Sequence, residues 1–326
     1  MGKTNLLDAV YSLCFTKSYF GKADNLSVSH GFAGFNLTGN FKKDDRTLPI
    51  SLILRETGKK ELWEDNEQIS PFSLHIGKFP VVFIAPDDIE LITGASEERR
   101  KLIDTILCQM DTDYLKTLIR YTKTLQERNR YLKQASNGGQ IDETLLDAFD
   151  DQLIQAGSFI SEKRILFLKE YIKMVLSLYA FISEEKEIPG IQFVASAEIE
   201  TYKEKMQKAR QKDIILQRTS IGIHKDELEL TLNDSSFKQI ASQGQKKSLL
   251  FALKLAEFMT LKTHFGFEPI LLLDDIFEKL DQNRLNKLLE WVCIKNQGQV
   301  ILTDTHEERV QKSLQDISVS FQIITL

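Results

Sequence analysis

The sequence has 326 residues, about twice a typical domain, with 42% hydrophobic and 27% charged residues, which suits two domains or one large domain carrying an insertion. Its formal net charge of −5 excludes a polycation that coats nucleic acid but leaves room for a local basic patch. Three widely spaced cysteines, only six prolines and charge within every long apolar run exclude a disulfide framework, a cysteine zinc site, long disordered linkers and a membrane span. Lys3, Asn5 and Asp8 interrupt any signal-peptide core, so a reducing cytoplasm is the expected compartment.

Leu6, Leu7, Val10, Leu13 and Cys14 fall at helical spacing and predict a helix over 5–15. Strands are predicted at 50–56, 60–64 and 79–85, with Thr57 and Gly58 as a hairpin turn. From about 87 to 218 the chain reads as helical. Leu118, Tyr121, Leu125 and Leu132 share one face. After the break at 136–139, Leu146, Phe149, Leu153, Ala156 and Ile160 repeat at alternating steps of three and four. A second series, Ile165, Leu168, Ile172, Val175 and Tyr179, continues one residue out of phase. Two long helices joined by a Gly-Gly loop are expected to pack as an antiparallel hairpin. Strands at 228–232, 270–273 and 300–303 then alternate with helices at 245–261 and 282–292, and that order implies a parallel sheet.

Three motifs carry chemistry. The chain opens Met1-Gly2-Lys3-Thr4-Asn5 at a helix start. Gly-Lys-Thr in that place is the closing half of a phosphate-binding loop: glycine lets backbone N–H groups face the phosphates, lysine reaches the β/γ oxygens and threonine takes Mg2+. Alone, the triplet is weak and occurs often by chance. The apolar run 270–273 ending in Asp274 and Asp275 is stronger, because ligands sit beyond the C-terminal ends of parallel strands. Asp274 is placed to hold Mg2+ through water, and Asp275 to orient or deprotonate an attacking water. Without the other motifs, a strand leaving the core into a solvated acidic turn accounts for the same residues. Ser242-Gln243-Gly244-Gln245 precedes a helix and offers a hydroxyl, backbone amides and a helix dipole to an anion, where an ordinary polar cap is the plain alternative. The three motifs in this order, with an acidic loop ending at Leu280-Asp281, are hard to obtain by chance.

That combination resembles the SMC group of ABC-type ATPases, and within it the RecF family. "GKTNLLDAV" is similar to the end of the family's Walker A loop, "SQGQKKSLLFALKLAE" to its signature motif and "LLLDDIFEKLD" to its Walker B and D-loop. "PDDIELITGASEERRKLID" and "GIHKDELEL" are similar to family segments too, so the likeness covers essentially the whole chain. It implies an α/β fold: an ABC/SMC-type P-loop ATPase head with an inserted α-helical lobe, an antiparallel helical arm without a zinc hook. Residues 1–88 and 218–326 would form the discontinuous head (lobe I), and 89–217 the arm (lobe II). ATP and Mg2+ are the implied cofactors, with Gly2, Lys3, Thr4 and Asp274 binding them in one subunit and Asp275 catalytic. Ser242, Gly244 and Gln245, with Asp281 of the D-loop, would serve the nucleotide of a homodimer formed in the ATP state. The resemblance further implies a weak DNA-stimulated ATPase, DNA binding at single-strand gaps and loading of RecA with RecO and RecR.

Departures from the family pattern are informative. Ser96 stands where the family has proline, and His306 lies one or two residues late for the switch histidine of ABC enzymes; no role is assigned to it. The first glycine and the strand before a phosphate loop would precede Met1. Met1 is therefore expected to be an internal methionine of the loop, with roughly 25–40 residues upstream at ordinary element lengths. A chain starting there is expected to bind ATP poorly or not at all.

Residues 114–134 hold Lys116, Arg120, Lys123, Arg128, Arg130 and Lys133 against one acid, Glu127. Lys116, Arg120, Lys123 and Arg130 share a helix face, and each could neutralise one DNA phosphate. A charged helix face is ordinarily only solvated. Nothing suggests base readout. Two rival readings are a P-loop kinase of a small metabolite, against which 242–245 counts, and a non-hydrolysing SMC-like scaffold.

Overall fold

In the computed structural model the described residues are 2–21, 23–43, 45–136, 141–183, 189–275, 282–294, 298–317 and 319–325. They divide into two compact units, one of Met1–Ile89, Leu178–Glu184 and Gln243–Leu326, the other of Glu90–Ser177 and Glu185–Ser242.

In the first unit, helix α1 (Lys3–Phe15) buries Leu7, Tyr11, Leu13, Cys14 and Phe15. They pack on Ile50, Leu52, Leu62, Val81 and Phe83, because one helix face and one sheet face must hide their apolar sides together. The sheet is antiparallel, β1 (Phe35–Lys43), β2 (Arg46–Leu54), β3 (Lys60–Glu64) and β4 (Glu67–Gln68), in sequential order. Strand β1 has no counterpart among the sequence expectations. Its inward series Phe35, Leu37 and Phe41 is interrupted at Gly39, where a Cβ would sit 2.8 Å from the Leu13 side chain. Close helix packing thus requires the glycine that hides the alternation. Strand β2 stops at Leu54, two residues earlier than expected, because the turn closes from Arg55, with the Gly58 N–H donating to its carbonyl at 2.8 Å. Strand β5 (Val81–Ile84) is buried throughout.

The second unit holds α2 (Glu90–Thr93), α3 (Ser96–Met110), α4 (Thr112–Ser136), most of α5 (Glu143–Ser183), β6 (Gly190–Val194), α6 (Tyr202–Leu216), β7 (Glu227–Leu232), β8 (Ser235–Ser236) and α7 (Phe237–Ile240). Helices α4 and α5 run antiparallel, since Tyr114 pairs with Arg164 at 3.1 Å while Arg128 pairs with Asp150 at 2.7 Å. The phase shift expected along α5 does not occur. The buried stripe Leu146, Leu153, Ala156 and Ile160 continues through Arg164, Leu168, Tyr171, Val175 and Tyr179, and Ile165 is 47% exposed.

Arg164 and Arg128 are both buried, and each is paired with two carboxylates. Arg164 donates to Asp104 and Asp226, each at 2.8 Å, and to the Ile223 carbonyl. Arg128 donates to Asp150 at 2.7 Å, Asp213 at 2.9 Å and Thr219 at 2.8 Å. This removes Arg128 from the solvated basic stretch in which its sequence neighbours place it. His224 bonds Tyr121 through Nδ1 and the Thr219 carbonyl through Nε2; burial pushes its pKa down to about 4. Together these contacts tie the 213–226 return to α4 and α5.

The first unit is completed by α8 (Gln243–Phe265), β9 (Ile270–Leu273), α9 (Gln282–Leu289), β10 (Val300–Leu302) and α10 (Glu307–Asp316). Helix α9 passes into a wider π turn over Glu290–Ile294. Strand β9 lies between β10 and β5 and is parallel to both, as its uninterrupted apolar run requires of a strand covered on both faces. Among the described residues no helix is long and apolar enough to cross a membrane.

Candidate nucleotide site

The register of the parallel strands sets three positions side by side. Ile84, Leu273 and Leu302 are in line, so Ala85, Asp274 and Thr303 leave the sheet together at its C-terminal edge. The Asp274 N–H donates to the Ile84 carbonyl and the Thr303 N–H to the Leu273 carbonyl, both at 2.9 Å. These two bonds fix the edge from which the acids project.

Helix α1 delivers the other half. Gly2 caps it at φ 105°, a left-handed conformation that glycine alone adopts without a Cβ penalty. Thr4 Oγ1 then donates to the Asp274 carboxylate, 3.0 Å from Oδ2 and 3.2 Å from Oδ1. Lys3 Nζ donates to the Asp304 carbonyl at 2.7 Å. Residues from the chain's start and from its last strands therefore converge, with Asp274 only 4% exposed. Asp275 follows at φ 45°, a left-handed region tolerated by Asp and Asn better than by most residues. Its N–H donates to Thr303 Oγ1 at 3.3 Å.

The donor set suits Mg2+, a hard cation that takes oxygen ligands and is usually held by one or two carboxylates plus substrate phosphates. One carboxylate and one hydroxyl in contact, Asp274 and Thr4, meet that requirement. Among the described residues no cluster of three or more His, Cys, Asp or Glu could hold a metal by itself, and Mg2+ in such a site needs none.

A concavity lined by Ile84, Pro86, Ile89, Lys247, Leu250 and Asp274 opens beside these groups. Its loop is braced from beneath. Asp88 accepts the Ala85 N–H at 2.8 Å and the Tyr19 hydroxyl, and Lys254 stands 3.9 Å from Asp88 and 3.2 Å from Glu257. Burial alone would lower the Lys254 pKa, but Glu257 and Asp88 outweigh it and keep the amine charged. Lys254, Glu257 and Asp88 were not among the sequence candidates; the one signal is a Lys and a Glu three apart within the apolar run of α8.

Of the remaining candidates, Gly244 and Gln245 lie in the first turn of α8, and Ser242 immediately precedes it, exposed. The helix starts earlier than expected, so the motif is its first turn rather than a loop before it. Lys116, Arg120, Lys123 and Arg130 are all exposed on α4. Asp281 lies outside the described residues. His306 is exposed and caps α10, its N–H donating to Asp304 Oδ1 at 2.7 Å. Thr303 and Asp304, which touch Asp274 and Lys3, were missed by sequence reasoning.

No family model matches the chain. The DNA replication and repair protein RecF of Bacteroides thetaiotaomicron is 39% identical over 324 residues, which span 99% of this chain and 87% of that protein. RecF of Cytophaga hutchinsonii is 36% identical over 325 residues, 100% of this chain and 86% of its own. The solved structure of the recombination mediator protein RecF-ATP in the RecFOR pathway matches with a TM-score of 0.85 and 28% identity, covering 94% of this chain and 84% of that one. An Smc head domain with a coiled coil and joint from Pyrococcus yayanosii, at TM-score 0.50 and 13% identity over 95% of this chain and 86% of that one, shares the fold alone. The architecture is that of an ABC/SMC-type α/β head with a helical insertion.

Proposed function

The chain belongs to the RecF family of DNA replication and repair proteins, and from that premise we propose that it binds ATP with Mg2+ at the sheet edge and uses the nucleotide to form a DNA-binding dimer. The observation that carries the reading is the contact between Thr4 and Asp274, 270 residues apart in sequence, at the C-terminal end of a central parallel strand. Lys3 would meet the β/γ phosphates, and Thr4 and Asp274 would hold the metal. Mg2+, when bound, supplies charge neutralisation on the phosphate oxygens. Asp275 then orients the attacking water and takes its proton. Ser242, Gly244 and Gln245, with Asp281, serve the nucleotide held by the partner copy. In this reading 1–88 and 218–326 act as the head and 89–217 as the arm, and the dimer works at single-strand gaps with RecO and RecR to load RecA.

The dimer is tested by Ser242→Arg. A bulky cation at the start of α8 is expected to abolish the rise in light scattering that a slowly hydrolysed ATP analogue gives the parent chain. Monomer unfolding should be unchanged, because Ser242 is exposed. An undiminished dimer would count against the sandwich arrangement, and a parent chain blind to the analogue would count against nucleotide binding.

DNA contact is assigned to the α4 face. Lys116 and Lys123 have only distant acidic neighbours, Asp113 at 3.9 Å and Glu127 at 4.0 Å, pairs worth little against a phosphate. Reversing Lys116, Arg120 and Lys123 to Glu is expected to weaken binding alike on all sequences and to reduce the slope of log K against log salt by about 0.9 per lost duplex phosphate contact. An unchanged slope would mean that this face is merely solvated.

A further inference from the structure

Both acids at the sheet edge are held by one side chain that belongs to neither motif. Thr303 follows β10 and is 8% exposed. Its Oγ1 donates to Asp274 Oδ1 at 2.6 Å and accepts the Asp275 N–H at 3.3 Å. A threonine hydroxyl has one proton and two lone pairs, so the proton given to Asp274 leaves a lone pair aimed at the next residue's amide. The first bond selects one orientation of a carboxylate that Thr4 engages from the α1 side. The second holds the backbone where Asp275 turns left-handed, and so determines where its carboxylate is directed.

Resting on the nucleotide reading above, we propose that Thr303 is the positioning residue that sets Asp274 for metal binding and Asp275 for water activation. Groups behind a metal ligand are there to fix its orientation and basicity. Thr303 does this from a neighbouring strand, and so locks the two acids to the frame of the sheet rather than to the loop that follows them. Valine has the same branched shape, but would leave the Asp274 carboxylate and the Asp275 amide each without this partner.

Thr303→Val and Thr303→Ser are compared with the parent chain. The readouts are retention of a fluorescent ATP analogue against Mg2+ concentration, and thermal unfolding with and without Mg-ATP. The valine variant is expected to need about tenfold more Mg2+ for half-maximal retention and to gain less thermal stabilisation from Mg-ATP. Serine, which keeps the hydroxyl, is expected to behave as the parent. If valine prevents folding, Thr303→Cys, a weak donor of similar size, is read in the same way. A shift in nucleotide-free unfolding with the Mg2+ requirement unchanged marks a purely structural role and overturns the proposal. A parent chain that retains no analogue at any Mg2+ concentration overturns the nucleotide reading and this inference with it, whereas retention insensitive to Thr303 overturns the inference alone.

Discussion

Asp275→Asn is expected to leave Mg-ATP binding intact, slow hydrolysis by about a hundredfold or more, as loss of a general base does, and so trap the ATP-bound dimer. Asparagine adopts the left-handed conformation as readily as aspartate, and Asp275 sits at φ 45°, so the variant changes the chemistry without disturbing the backbone. Asp274→Asn is expected to fail earlier. It removes the charge from a group that is 4% exposed and accepts bonds from Thr4 and Thr303, so Mg2+-dependent nucleotide binding itself should weaken. Nucleotide retention, phosphate release and light scattering separate the two defects. Full hydrolysis by the Asp275 variant would remove its assigned role, and normal Mg2+ dependence in the Asp274 variant would do the same for that residue.

The two acids are expected to differ in effect although they are adjacent, and their place after an apolar run makes them easy to find in the sequence. Four consecutive apolar residues, Ile270–Leu273, need cover on both faces, so a central parallel strand and its functional end are legible without coordinates. Lys3 and Thr4 are legible by identity. Thr303 is not: a lone threonine at a strand end has no periodicity and no motif, and its contacts with both acids appear only once β9 and β10 are in register. The same logic explains the misread helices. Pattern reading counts an arginine as facing outward, so the α5 stripe was resumed at Ile165 rather than at the buried Arg164, and Arg128 was counted within the basic stretch 114–134. Their partners stand far off in sequence: Asp226 is 62 residues from Arg164, and Asp150 and Asp213 are 22 and 85 residues from Arg128. Neutralisation over such separations is a tertiary fact, invisible to a window of one or two turns. The remainder, Lys116, Arg120, Lys123 and Arg130, are exposed on α4 at the helical spacing that solvent-facing charge follows.

Arg128→Met is expected to destabilise the helical unit by about 3–5 kcal/mol, the usual consequence of removing one partner from a buried ion pair. Asp213 is fully buried and, among the described residues, keeps the amide and hydroxyl of Ser220 as side-chain partners beside the lost guanidinium. Thr219 loses a donor as well, while Asp150 retains Arg210 at 2.7 Å. The damage should therefore concentrate on the 213–220 return rather than on the α4–α5 contact. It follows that Arg128→Met combined with Asp213→Leu should recover part of the loss, because the charge left behind, and not the missing attraction, is the larger cost. Urea unfolding followed by far-ultraviolet circular dichroism reports the helices, and fluorescence of Trp63 and Trp291, both in the first unit, reports the other half of the molecule. A loss confined to the dichroism transition and partly repaired in the double variant is the expected pattern. A single variant less than about 1 kcal/mol below the parent would place Arg128 among the weak surface pairs and break the link drawn here between its burial and the anchoring of the 213–220 return.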